Sequence, residues 1–261
     1  MSSIVSTRSN GPAEELWELL GKKPSLLFGR ECAKVSIWML FTLIIRSIII
    51  LLKLEKYVPN GFIFALPLFI QIIGRYLPFI SNDSFPLLPI RLTESILGRI
   101  TPARLAIIIP AHFLGCIVGV IVFKILIPIF RLSDEVLKPI TYAPNNWMIG
   151  WIYALGFESL LICTYICIII ALPVMLELNK ISPLVLSIPI IPLMFFMVPD
   201  QGSTFHPAAI YALWYANGGK TLFDSELQPE HIIAPMIGSI CAGIICLRYF
   251  PDDPLSWRRS R

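Results

Sequence analysis

Six apolar stretches constrain this chain more than anything else in it: about 34 to 53, 60 to 80, 103 to 129, 148 to 176, 181 to 198 and 232 to 250. Each reaches the ~20 residues that a helix needs to cross a ~30 Å hydrocarbon core. Six spans of an all-α, multi-pass membrane protein are therefore expected. The composition agrees: 56% of the 261 residues are hydrophobic, 15% are charged, and mean hydropathy is +0.75. Pro128, Pro173 and Pro189 mark expected ends or kinks, where a lost backbone hydrogen bond has to be replaced by neighbours.

Basic residues divide unequally between the two faces that six spans create. One face collects twelve, Lys22, Lys23, Arg91, Arg99 and Arg104 among them, and the other has five: Lys53, Lys56, Arg131, Lys138 and Lys220. Cytoplasmic loops carry the Lys/Arg excess, so both termini are expected in the cytoplasm. Met1 to Lys23 lacks an apolar stretch ending in a small-residue cleavage site, which leaves targeting to the first span. The net charge of +4 and pI of about 8.7 come largely from these flanks. They read as topology and contact with anionic lipid, and no basic run is interleaved with aromatics as nucleic-acid binding would need.

Two short proline-led segments, Phe85-Pro86-Leu87 and His206-Pro207-Ala208, sit in polar breaks between the apolar stretches. Each is followed by about three turns of helix-compatible sequence. The residues from Pro207 to Asn217 cover roughly 16 Å, half of the hydrocarbon core. Re-entrant half-helices are thus expected over 85 to 97 and 207 to 217, dipping in from opposite faces. Meeting head to head, they would put donor-rich, positive helix N-termini at the centre of a pore.

An internal repeat supports this plan. Glu31 pairs with Glu158, Phe85-Pro86 with His206-Pro207, and His112-Phe113-Leu114-Gly115 with Pro235-Met236-Ile237-Gly238, at offsets of 127, 121 and 123 residues. One domain is expected over 31 to 250, made of repeats at about 31 to 129 and 148 to 250. Residues 1 to 30 and 251 to 261 form cytoplasmic flanks.

These segments resemble the aquaporins, or major intrinsic proteins, and among them the small basic intrinsic protein and superaquaporin branch. Gly156-Phe157-Glu158-Ser159-Leu160-Leu161 is similar to the family's acidic fourth-helix start. Gly202 to Ala216 resembles its second Asn-Pro-Ala loop, Ala234-Pro235-Met236-Ile237-Gly238 its sixth helix, and Ile109 to Cys116 the third helix of the small basic branch. Phe85 and His206 stand where the family carries its two signature asparagines. The resemblance implies an aquaporin-like fold, six spans plus two half-helices in an inverted repeat. It implies a passive channel for water or small uncharged solutes of the glycerol, urea or peroxide class. It further implies a homotetramer in the endoplasmic reticulum or another intracellular membrane, the plasma membrane being the alternative, with no cofactor and no catalytic or metal site.

The resemblance also assigns roles. Ala209 stands where the orthodox family places a filter arginine, and the fifth-helix histidine would fall at Leu193 or Met194, which makes the filter wide and apolar. Glu158 would accept hydrogen bonds from the re-entrant loop backbone. Glu31 would play the mirrored part, or form an interfacial ion pair with Arg30. For His206 two readings stand: a pore-lining, pH-sensitive donor, or a cap for its helix. Phe85 either dewets the pore centre or packs aside, leaving Asp83 or Ser84 to cap.

Other polar groups carry weaker signals. Arg46 and Arg75 snorkel or face the pore. His112 and His231 read as lone histidines, the second at the outer interface. Cys163 and Cys167 share a helix face without other ligands, which favours packing over metal binding. Three scattered histidines do not assemble an enzyme site. A proton-coupled or facilitative transporter shares the inverted-repeat architecture and has Glu158 as its one strong coupling residue, and a non-conducting structural homologue is the third alternative.

Overall fold

The computed structural model describes residues 24–53, 87–137, 152, 154–175, 206–219 and 229–249. They are helical with no strand among them. The spans expected at 60 to 80 and 181 to 198, and the residues Phe85, Pro86, Arg75, Leu193 and Met194, lie outside the described residues.

Four long helices and two short ones make up the described chain. Helix α1 spans Pro24–Leu51, α2 Leu88–Ile96 and α3 Pro102–Phe130, followed by a 3-10 turn at Asp134–Leu137. A π-helical turn at Ala154–Glu158 leads into α4, Ser159–Met175; α5 is Pro207–Ala216 and α6 is Pro229–Tyr249. Three of them, α1, α3 and α6, are long and apolar enough to cross a membrane, as in an integral membrane protein. Their outward faces agree: Ile37, Phe41 and Ile48 on α1, Ile121 and Ile125 on α3, and Ile237, Ile240 and Ile244 on α6 are all exposed.

Prolines place several starts. Pro207 forces His206 into an extended conformation (φ −125°, ψ 100°), and Pro102 does the same to Thr101, whose side chain accepts from the Arg104 amide at 3.3 Å. The first short helix corrects the sequence reading: it begins at Leu88, with Leu87 extended before it and Pro89 in its first turn, rather than at Pro86. Helix α1 starts ten residues earlier than the apolar run at 34. Glu31 and Lys34 stop a hydropathy window, but in the fold they pair and the helix runs through them. Pro128 does not end α3, which continues to Phe130 and closes on Arg131 in the left-handed region (φ 52°).

Long helices pair through glycine. On α3, a Cβ at Gly115 would stand 2.6 Å from the Cys32 carbonyl and 3.0 Å from Val35 Cβ; on α6, one at Gly238 would stand 2.5 Å from the Ser159 carbonyl and 2.9 Å from Ile162 Cβ. Cys32 and Ser159 are 127 residues apart, as are Val35 and Ile162. The α1–α3 and α4–α6 crossings therefore use the same contact in the same register. Small residues that let backbones approach are the usual means of close packing between apolar helices.

Each short helix lies along a long helix of the other repeat. Thr93 of α2 donates to the Ser239 carbonyl of α6 at 2.9 Å, and one turn on Ile96 packs against Gly243. Tyr211 of α5 meets Phe113 of α3 edge-on at 5.5 Å, and Lys124 Nζ donates to the Ala216 carbonyl at 2.7 Å. In both pairs residue numbers rise together, so α2 runs parallel to α6 and α5 parallel to α3. Five residues join the end of α2 to the start of α3, whereas α5 ends beside the far end of α3, where Asn217 Nδ2 donates to the Leu137 carbonyl. The short helices thus finish at opposite ends of α3, which is ~43 Å long.

Candidate functional site

Glu31, in the second turn of α1, is 1% exposed. Arg91 of α2 brings Nη2 to 3.1 Å from both of its carboxylate oxygens, while Nη1 reaches Glu94 on its own helix at 3.2 Å. Lys34, one turn along α1, adds an ammonium at 3.3 Å. On the opposite side His112 Nε2 of α3 lies 3.5 Å from Oε2, an ion-pair distance too long for a hydrogen bond. Two carboxylates and two cations balance in this cluster, which is how buried charge is tolerated.

The cluster continues into a stack of rings. His112 stacks on His206 with centroids 5.4 Å apart and planes at 23°, and His206 stacks on Trp38 at 5.1 Å and 24°. Trp38 lies two turns after Glu31 on the same buried face of α1. Both imidazoles are fully buried. The stack shows why His206 does not cap: its side chain makes no hydrogen bond to the α5 amides, and only its carbonyl accepts, from the Ala209 and Ile210 N–H groups at 2.9 and 3.3 Å. Among the described residues, the buried Trp38 Nε1 and His112 Nδ1 have no hydrogen-bond partner.

A second carboxylate, Glu158, ends the π-helical turn and is 2% exposed. His231 Nδ1 of α6 sits 2.7 Å from its Oε1, and its buried Oε2 has no hydrogen-bond partner among the described residues. Ser159 beside it donates to the Ala234 carbonyl at 2.9 Å. Each buried carboxylate thus finds a histidine on the last long helix of its own repeat. The two histidines are not repeat equivalents: by the offset of 123, His231 matches Ile108, one turn before His112.

Several expectations are corrected here. Glu31 is held by Arg91 and Lys34 and faced by His112 in a buried cluster rather than in an isolated surface pair, and the loop before Leu87 lies outside the described residues. Glu158 bonds the His231 ring, and the re-entrant loop before His206, whose backbone it was expected to hold, lies outside the described residues. His112 and His231 are not lone histidines. Arg46 turns inward and donates to the Val136 carbonyl at 3.1 Å, joining α1 to the 3-10 turn instead of snorkelling. Of the motif residues, Leu87, His206, Pro207, Ala208 and Ala209 are all buried, at or next to the N-termini of the short helices. Glu31 and His206 meet through His112; Glu158 belongs to the second cluster. Arg91, Lys34 and Trp38 were not anticipated as site residues, since Arg91 and Lys34 read as flank cations and Trp38 as one more apolar residue of its span. No known protein-family model matches this chain, and no curated protein is recognisably similar to it.

Proposed function

We propose that the chain is an aquaporin-like channel that passes water and small uncharged solutes without energy input. The observation that carries this reading is the placement of the short helices. Each is half the length of a span, each begins at a buried, extended residue, Leu87 or His206, and each lies parallel to a long helix of the opposite repeat. That placement supports an inverted repeat with two re-entrant half-helices, and the proposal takes the apolar stretches at 60 to 80 and 181 to 198 as its two further spans. The duplicated glycine crossing at Gly115 and Gly238 supports the same two-fold plan. Facing half-helix N-termini supply backbone donors and positive potential at mid-membrane, which accept neutral hydroxyls and water while repelling cations. The missing filter arginine at Ala209 favours neutral solutes besides water. By the same resemblance, four copies assemble in an intracellular membrane with both termini cytoplasmic.

One observation favours a second reading. Buried Glu158 and half-buried His231 form an acid–base pair, the chemistry a proton-coupled transporter needs. Purified protein in vesicles separates the two. A channel accelerates osmotic swelling with water, glycerol, urea or peroxide equally with and without a pH gradient. Solute uptake that requires an inward proton gradient and is lost in E158Q establishes the transporter, and swelling identical to empty vesicles removes both.

A further inference from the structure

We propose that Glu31 is the common anchor of both short helices, and that Arg91 and His112 are the positioning residues through which it sets the width of the path. The inference rests on the channel reading for its consequence, though not for its geometry. Arg91 lies in the first turn of α2 and is 3% exposed, and one of its nitrogens spans both oxygens of a carboxylate on α1. As a source of stability this is a poor choice. Taking two charges out of water costs about what their attraction returns, and apolar side chains of the same volume would hold the helices as well. What the pair adds is direction: a guanidinium on a carboxylate has a narrow range of angles, so it fixes where the start of α2 sits on α1.

The same carboxylate reaches α5 by a second route. His112 faces Glu31 with Nε2 and offers its ring face to His206, the residue that opens α5. Trp38, on the helix that carries Glu31, stacks on that ring as well. His206 is therefore held by rings from both α1, which carries Glu31, and α3, whose His112 faces it. Arg91 and His206 sit on different short helices and are linked through Glu31 and His112. A shift at either is transmitted to the other, so the two N-termini move as one unit.

Two measurements test this. In vesicles, the ratio of glycerol to water permeability is independent of how much protein folded, so a residue needed only for folding leaves it unchanged. R91K keeps the charge but loses the fork, and it should shift that ratio by about threefold or more, because a constriction responds steeply to small displacements of its walls. An unchanged ratio in R91K overturns the positioning role. In detergent, unfolding of R91K, H112F and the double variant by added SDS forms a cycle; H112F keeps a ring to stack on His206 and loses the nitrogen facing Glu31. A common anchor predicts non-additivity of at least about twofold in the unfolding equilibrium constant, the lower range for residues in one network. Additive effects overturn the anchor. Should the wild type not conduct, the channel reading falls, and the detergent cycle alone decides the anchor.

Discussion

Gly115 and Gly238 are positions where one added methyl group has nowhere to go, since a backbone carbonyl stands 2.6 or 2.5 Å from where it would be. A backbone cannot yield as a flexible side chain can, so G115A and G238A should each cost about 1–3 kcal/mol, the usual penalty of overpacking. Gly29 on α1 has nothing within 4 Å, and G29A should be neutral or stabilise by up to ~1 kcal/mol through helix propensity alone. SDS unfolding of the three variants checks this, and equal costs at all three would refute the close crossings. The sequence pairs the two glycines by repeat, but not what they touch, because a glycine carries no side-chain signal about its partner. Arg91 was illegible for a different reason. Sixty residues separate it from Glu31, and a cation in a polar break reads as a solvated flank residue until the fold buries it.

Short helices depend on their ends more than long ones do, since a larger share of their backbone groups lacks an intrahelical partner. Helix α2 has nine residues, and Thr93 ties it to α6 while also bonding the Pro89 carbonyl at 3.2 Å. Replacing Thr93 with isosteric valine removes the bond to Ser239 and should cost about 1 kcal/mol, within the range for interhelical bonds in membrane bundles. Helix α5 is held at its other end. Lys124 places its ammonium on the Ala216 carbonyl, where the helix dipole is negative, and K124M should cost about 0.3–2 kcal/mol. Both losses are read by SDS unfolding, and no change in either would show the bond to be incidental. Elements were legible where proline or hydropathy alone decides, as for α3 and the start of α5. The start of α2 was placed too early because Pro86 and Pro89 both suit a first turn. The upstream turns of α1 were missed because charge reads as a span boundary, whereas paired charge is compatible with a buried helix.

Across the whole molecule, the arrangement makes a demand that no single contact does. Because α2 ends at the start of α3 and α5 ends beside the last turns of α3, their C-terminal ends must face opposite sides of any membrane that α3 crosses. Arg99 follows α2, and Tyr215, 55% exposed, closes α5. In sealed vesicles, a membrane-impermeant maleimide should label R99C from one side only and Y215C from the other side only, above the background of the six native thiols. From the Lys/Arg count, the Arg99 side is the one expected to face the cytoplasm. Labelling of both from the same side would mean that the short helices do not enter from opposite faces, and the channel reading would fail with it. The two helices would then lack the facing N-termini that give the central positive potential. Opposite labelling leaves only conduction itself to be measured.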